Sequence, residues 1–310
     1  ILFNVHVDTD GTLMTDGETI CKDGVYVFGN TQPNYINDVK LLKTWPTSIR
    51  RIEICIGGWG NDSYDHIRDL INSGKIDVLR NNFRALKEAI PEIDAVNNDD
   101  EHCYDLNAAT TFHVMMYDLG YKSTLAPYMN WNFWNSLSAN INNQRPGACD
   151  RILIQCYDGG AGNNPSDWHL NGITLHAGRT NYQSSRDESI AQFQSWKNNN
   201  GSSGSFVWVY NDETWDLNQW ATRMKRIHAS QLVATNPVAT FCEGVNYEGY
   251  NIGLSEGEYT KAALAAYGIT DNDDLKLIDH IIVVKKTPKY EDKIEYEYAY
   301  KSEDGKILEI

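Results

Sequence analysis

The sequence predicts an α/β protein with a (β/α) barrel over residues 1–232 and a small β-rich module over residues 237–310. Two observations predict the barrel: strand-like and helical patterns alternate along the first region, and 310 residues suffice for a barrel of about 200–250 residues plus a second domain. A change of pattern after residue 236 predicts the module. Repeated strand–helix alternation with right-handed crossovers produces a parallel sheet, and such a sheet can close into a barrel.

Seven segments have the apolar composition of buried strands, and helical patterns separate most of them. The strands are predicted at residues 2–8, 52–58, 93–99, 123–129, 151–158, 173–178 and 205–210. The helices are predicted at residues 34–44, 62–90, 103–119, 131–141, 187–199 and 215–229. Pro91 ends the second helix, because proline cannot continue a helix.

The module at 237–310 alternates aromatic residues with glycines and turn residues. Its first stretch, 237–254, resembles a βγ-crystallin Greek-key motif, with Tyr247 and Gly249 in the hairpin. Calcium-binding members of that family carry two acidic residues followed by Ser or Thr. Here Asp273 and Asp274 are followed by Leu275, Lys276 and Leu277, and a lysine at a ligand position repels Ca²⁺. The sequence therefore disfavours a calcium site.

Composition excludes several classes of partner. The net charge of −15 argues against nucleic acid and against an anionic membrane surface, since both require clustered Lys and Arg. No apolar run reaches the roughly 18 residues that would cross a bilayer, so we expect no membrane insertion. No signal peptide is visible, and the chain starts inside an apolar strand, so we expect the first residues of the native product to be absent.

Six cysteines allow up to fifteen fully paired connectivities, and none shows the CxxC spacing of a zinc site. Cys55 and Cys156 lie in predicted barrel strands, where we expect buried thiols. We predict neither a metal nor a cofactor.

The densest acidic run follows the third predicted strand, from Asp94 to His102. Asp99 and Glu101 are two residues apart, which on a strand would place both carboxyl groups on one face, roughly 6–7 Å apart. Two close negative charges raise one pKa, and such a carboxyl group can act as a general acid near neutral pH. A solvated acidic loop or a calcium site are the alternatives.

Four segments in the same order resemble glycoside hydrolase family 18. The family carries a strand ending SxGG, seen here as Cys55-Ile56-Gly57-Gly58, and a strand ending DGxDxDxE. In the second, Ala95 replaces Gly and Asn97 replaces the middle Asp, while Asp99 and Glu101 match. Residues 151–158, with Tyr157, and 205–210, with Trp208, are similar to the sixth and eighth strands. The resemblance covers residues 1–232 and implies a (β/α)8 TIM-type barrel. Residues 1–8 are similar to its second strand, so the first is missing, precedes residue 1 or comes from elsewhere in the chain.

The resemblance implies a substrate-assisted, retaining glycosidase that needs no metal. The 2-acetamido group of the sugar attacks its own anomeric carbon. Glu101 would protonate the leaving oxygen and then activate water, and Asp99 would orient the acetamide N–H. Tyr157 would hold the acetamide oxygen, and Trp208 would stack under the sugar.

Six further residues are predicted to support the site. Asp94 and Asn97 would hold Asp99 by hydrogen bonds, and the amide of Asn97, which cannot share a proton with Asp99, predicts an altered pH profile. Position near a strand end adds four candidate substrate contacts: Trp59, Tyr128, Gln155 and Arg179. His102 beside Glu101 points to the opposite face and is not assigned a role.

The predicted substrate contains β-linked N-acetylglucosamine, either as chitin or as the chitobiose core of an N-glycan. Only about 27 residues connect the seventh and eighth family strands, so the cleft should be shallow, as in plant-type chitinases and endo-β-N-acetylglucosaminidases. We therefore expect a secreted or cell-surface monomer that acts on a polysaccharide or a glycoprotein glycan. A catalytically inactive sugar-binding relative, and a scaffold or adhesion protein working through its C-terminal module, are the alternatives.

Overall fold

The computed structural model describes residues 1–44, 49–209 and 217–228, together with six short strands between residues 239 and 309. It has an α/β fold with a ten-stranded, mostly parallel sheet, which confirms the predicted class. The strands of this sheet are β1 (Leu2–Val7), β2 (Leu13–Thr15), β3 (Glu18–Lys22), β4 (Val25–Tyr26), β5 (Ile52–Gly57), β6 (Ile93–Asp99), β7 (Lys122–Leu125), β8 (Cys149–Gln155), β9 (Thr174–Thr180) and β10 (Gly204–Trp208).

The seven predicted strands form the parallel part of the sheet, in the order β10-β9-β8-β7-β6-β5-β1. The short strands β2, β3 and β4 continue from β1 as an antiparallel meander. Phe3 on β1 meets Trp208 on β10 edge-on, with ring centroids 4.5 Å apart. Because the outermost parallel strands touch through these rings, the sheet curves strongly and is compatible with a barrel.

Seven α-helices lie within the described residues. They are α1 (Tyr35–Lys43), α2 (Ser63–Asn72), α3 (Ile76–Ala89), α4 (Leu106–Asp118), α5 (Trp131–Gln144), α6 (Arg186–Asn200) and α7 (Leu217–His228). Single turns of 3-10 helix occur at Phe28–Asn30, Asp158–Gly160 and Pro165–Trp168. None of the described helices is long and apolar enough to span a membrane.

The prediction of a single helix over residues 62–90 is wrong. The helix ends at Asn72, and a second helix begins at Ile76. Gly74 has a φ of +75°, a left-handed conformation that glycine adopts without steric cost. The Lys75 N–H donates to the Leu70 carbonyl and the Gly74 N–H to the Ile71 carbonyl. This pair of bonds is a Schellman motif, which ends α2 one turn before α3 begins.

Helices on the outer face of the sheet bury its hydrophobic core. Every residue of β5 is buried, as expected for a parallel strand covered on both faces. Leu70 of α2, Phe83 of α3 and Phe112 of α4 belong to the same buried cluster. Cys55 and Cys156 are buried thiols, as predicted, and the five cysteines whose side chains are described are free.

The chain divides into two compact units, Ile1–Ser185 with Ser195–Val209, and Arg186–Gln194 with Tyr210–Ile310. In the second unit, Arg223 of α7 pairs with Asp187 of α6. The β-rich pattern at its end gives strands β11 (Ala239–Cys242), β12 (Asn251–Leu254), β13 (Gly257–Thr260), β14 (His280–Lys285), β15 (Tyr296–Lys301) and β16 (Ile307–Glu309). Strand β11 pairs with β12, and β13 to β16 form an antiparallel sheet. The predicted domain boundary, the Tyr247 hairpin and the Asp273–Asp274 pair lie outside the described residues.

Candidate active site

A cavity of about 670 Å³ opens at the carboxyl ends of the parallel strands. This volume lies in the range of pockets that hold small molecules. Seven of the ten predicted site residues line it: Trp59, Asp99, Glu101, Tyr128, Gln155, Tyr157 and Trp208. They come from five different strands or the loops that follow them, and they meet because parallel strands end at the same edge of a sheet.

The glycine pair at the end of β5 fixes the position of Asp99. Gly57 and Gly58 have φ values of +102° and +107°. The Gly58 N–H donates to the Asp99 carbonyl at 2.7 Å, and a Cβ atom on Gly57 would lie 2.3 Å from that oxygen. Only glycine permits this approach, so the motif positions the acid through its backbone.

Asp99 ends β6 and lines the cavity, and none of the residues that the structure describes forms an ion pair with it. Gln155 donates through Nε2 to Asp99 Oδ1 at 2.8 Å, and the same nitrogen donates to the Ala126 carbonyl. The pKa of Asp99 is raised to about 7, and burial is the main cause. The negative charge of Glu101 also raises this pKa, and its effect is larger than the opposite effect of the Gln155 hydrogen bond. Asp99 is therefore a carboxyl group that titrates near neutral pH.

Glu101 is half-buried and lies just beyond the end of β6. Burial raises its pKa, His102 opposes this, and the charges of Asp100 and Asp158 add to it. A raised pKa keeps the proton on a carboxyl group at higher pH, as a general acid requires.

The expectation that Asp99 and Glu101 share one face of a strand is wrong, because β6 ends at Asp99. A loop carries Glu101 into the cavity instead. The buried carboxylate of Asp100 accepts hydrogen bonds from the N–H groups of His102, Cys103 and Tyr104, at 3.1, 2.9 and 2.8 Å. Asp100 therefore holds the loop in shape, a role that its position in an acidic run does not reveal.

Aromatic residues supply much of the cavity wall. Tyr157 is buried, and burial together with the charge of Asp99 raises the pKa of its hydroxyl, which stays protonated at neutral pH. Trp208 ends β10, and its ring packs against that of Phe3 in a T-shaped arrangement. The Tyr128 hydroxyl donates to the Glu101 carbonyl at 3.4 Å. Aromatic rings beside carboxyl groups suit a ligand with both apolar and polar faces.

Three predicted residues do not line the cavity. Asp94 lies at the start of β6, where its Oδ2 accepts from Lys43 Nζ at 2.5 Å and from the Ile52 N–H at 2.7 Å. It is five residues, or about 16 Å of strand, away from Asp99, so it cannot hold that carboxylate. Arg179 donates to Ser184.

Asn97 is buried beneath Asp99 on the same strand face, but its Nδ2 has no hydrogen-bond partner within the part of the chain that the structure describes. The predicted bond from Asn97 to Asp99 is therefore wrong. Gln155 provides that bond instead, and this is a different task from the substrate contact predicted for it.

His102, to which no role was assigned, pairs with an acid of α2, and its Nε2 lies 2.7 Å from Asp65 Oδ2. Ligand atoms of Asp62, Asp65 and His102 lie within 4.8 Å of one another. This acidic group is partly or fully exposed, and groups of this kind are common on protein surfaces without an ion.

Four cavity residues were not predicted: Phe3, Gly58, Asp158 and Gly159. Asp158 and Gly159 follow the strand end that carries Tyr157, so their position alone could have identified them. Comparison of the chain with protein-family models gives no match, and no curated protein matches it. The geometry of the cavity therefore carries the functional argument.

Proposed function

We propose that the protein is a hydrolase that cleaves β-1,4-linked N-acetylglucosamine glycosides by a substrate-assisted, retaining mechanism. The observation that carries this proposal is that Asp99, Glu101, Tyr157 and Trp208 all line one cavity. These are the four residues to which the resemblance to glycoside hydrolase family 18 assigns the chemistry.

In the first step, Glu101 donates its proton to the glycosidic oxygen as the bond to the anomeric carbon breaks. The acetamide oxygen of the same sugar attacks that carbon and forms an oxazolinium ion. Asp99 accepts a hydrogen bond from the acetamide N–H and stabilises the positive charge that develops there. Tyr157 donates its hydroxyl to the acetamide oxygen and aligns it for attack.

In the second step, Glu101 takes a proton from water, and the water oxygen attacks the anomeric carbon. The oxazolinium ring opens and the acetamide is restored. The proton taken from water leaves Glu101 protonated again. Two inversions give net retention at the anomeric carbon. The raised pKa values of both acids support this assignment, because a raised pKa keeps the proton of Glu101 available for donation at higher pH, and Asp99 has a pKa of about 7.

We also propose the following architecture, location and substrate for the protein. The curved sheet is the core of a (β/α)8 barrel that extends over residues 1–232. The β-rich segment 237–310 is a βγ-crystallin-like module. The protein is a secreted or cell-surface monomer, and its substrate is a GlcNAc-containing polysaccharide or glycoprotein glycan.

The test compares the wild-type protein, Glu101→Gln and Glu88→Gln on chitotetraose and on a high-mannose glycopeptide. Glu88 is an exposed residue of α3 and serves as the matched control. We expect hydrolysis of at least one substrate, a rate loss of about 10²-fold or more in Glu101→Gln, and no loss in Glu88→Gln. An unchanged rate in Glu101→Gln would falsify the assignment. Binding without turnover by the wild type would indicate an inactive sugar-binding protein.

A further inference from the structure

Hydrogen bonds connect the loop after β9, residues 181–184, to the end of the strand that carries Trp208. The Asn181 N–H donates to the Trp208 carbonyl, and Asn181 Nδ2 donates to the Val209 carbonyl, both at 3.0 Å. The Gln183 N–H donates to Thr180 Oγ1 at 3.2 Å. These bonds connect the loop to one wall of the cavity, so its side chains have a defined position at the rim.

Two side chains of this loop donate hydrogen bonds to Asp158, which lines the cavity. The Tyr182 hydroxyl donates to Asp158 Oδ2 and Gln183 Nε2 donates to Asp158 Oδ1, each at 2.5 Å. Burial raises the pKa of Tyr182 to about 12, and the bond to Asp158 adds to this, so the hydroxyl remains a donor at neutral pH. The residue is nevertheless 58% exposed. Tyr182 is therefore held by its hydroxyl, while more than half of the residue is open to solvent.

Trp59 is a second exposed aromatic residue, and it lines the cavity directly, whereas Tyr182 reaches the cavity through Asp158. Trp59 follows β5 and is 92% exposed. In the sheet order, β6, β7 and β8 lie between β5 and β9. These three strands and their loops carry Asp99, Glu101 and Tyr157, so the acid pair lies between the strand ends that carry Trp59 and Tyr182.

We propose that Tyr182 is a stacking platform for a sugar ring of the substrate beyond the linkage that is cleaved. A pyranose ring has an apolar C–H face that packs on an aromatic ring and hydroxyl groups at its edge that need hydrogen-bond partners. Tyr182 offers the ring face. A carboxylate has about four acceptor positions, and Tyr182 and Gln183 occupy two of those on Asp158, which leaves acceptors for sugar hydroxyls. The proposal rests on the proposed function and extends it to a second sugar position.

The test uses the full chain with Glu101→Gln, so that oligosaccharides bind without being cleaved, and measures Kd by titration calorimetry. The probes are chitobiose and chitohexaose. Tyr182→Phe keeps the ring and removes the bond to Asp158, whereas Tyr182→Ala removes both. Tyr117→Ala, at the end of α4 and outside the cavity lining, is the control.

We expect Tyr182→Ala to weaken chitohexaose binding by about 3- to 10-fold, the usual contribution of one aromatic contact, and to leave chitobiose binding unchanged. Tyr182→Phe and Tyr117→Ala should stay within about 2-fold of the parent, because the first keeps the ring and the second lies outside the cavity lining. Equal losses of affinity in Tyr182→Phe and Tyr182→Ala for both probes would show that Tyr182 only holds Asp158. Unchanged chitohexaose binding in Tyr182→Ala would also contradict the proposed stacking role. In both cases the proposed function stands if the wild type hydrolyses its substrate. If neither probe binds and the wild type cleaves nothing, both proposals fail.

Discussion

Acidic residues at the two ends of the parallel sheet have opposite electrostatic surroundings. At the amino end, Glu53 Oε1 accepts from Arg51 Nε at 2.5 Å and from Thr124 Oγ1 at 2.9 Å, and Arg151 lies 3.9 Å away. At the carboxyl end, Asp99 has acids as its charged neighbours and an amide as its donor. Burial without a cation beside it raises the pKa of an acid, and this explains why the pKa of Asp99 is about 7.

The same contrast appears within the single strand β6. Asp94 at its start pairs with Lys43, and Asp99 at its end faces the cavity. The two residues are chemically identical and belong to one acidic run. Their roles differ because Lys43, 51 residues away in the sequence, reaches one and not the other.

The largest expected effect is on the stability that comes from the charged cluster at the amino end of the sheet, which consists of Arg51, Glu53 and Arg151. Glu53→Gln removes the carboxylate from between Arg51 and Arg151 and leaves two partly buried guanidinium groups without it. We expect a loss of about 3–5 kcal/mol in the free energy of unfolding, measured by urea denaturation. Glu88→Gln, as the exposed control, should change it by less than about 0.5 kcal/mol. A loss below about 1 kcal/mol for Glu53→Gln would show that the cluster is not what stabilises this end.

The second effect concerns the pH dependence of stability at the carboxyl end. The folded protein keeps a proton on Asp99 up to a pH of about 7, whereas the unfolded chain loses it near the ordinary aspartate pKa of 3.8. The free energy of unfolding should therefore fall as pH rises from about 4 to about 7, by at most about 4 kcal/mol from this residue. Asp99→Asn should lack this decrease, so its stability relative to wild type should improve across that window. Parallel pH profiles for the two proteins would contradict the raised pKa.

A third comparison sets Asp99→Asn against Asp94→Asn on the same strand. Asp99→Asn should lower kcat for chitotetraose by about 10²-fold, because an amide cannot supply the charge that stabilises the oxazolinium ion. Asp94→Asn should leave kcat unchanged and reduce the free energy of unfolding by about 1 kcal/mol or less, since its pair with Lys43 is partly exposed. Equal losses of activity in both variants would remove the distinction between the two ends.

The sequence was sufficient to predict the parallel strands, because most of them contain a short apolar stretch, as in Ile52–Gly57 and Cys149–Gln155. It was also sufficient to bring seven predicted residues to one cavity, since parallel strands end at one edge. The meander β2–β4 was missed because its strands are only two to five residues long and lack clear alternation. The bond from Gln155 to Asp99 crosses 56 residues, and the partners of Asp94 and Asp158 are also distant in sequence. Local patterns contain no information about such partners.

The most direct measurement is the dependence of the initial rate on the acetyl group of the substrate. Chitotetraose and its fully N-deacetylated counterpart are compared with the wild-type protein under identical conditions. Because the acetamide oxygen is the nucleophile in the proposed mechanism, we predict that the acetylated substrate is cleaved about 10²-fold faster or more. Equal rates for the two substrates would contradict a substrate-assisted reaction at Asp99 and Glu101.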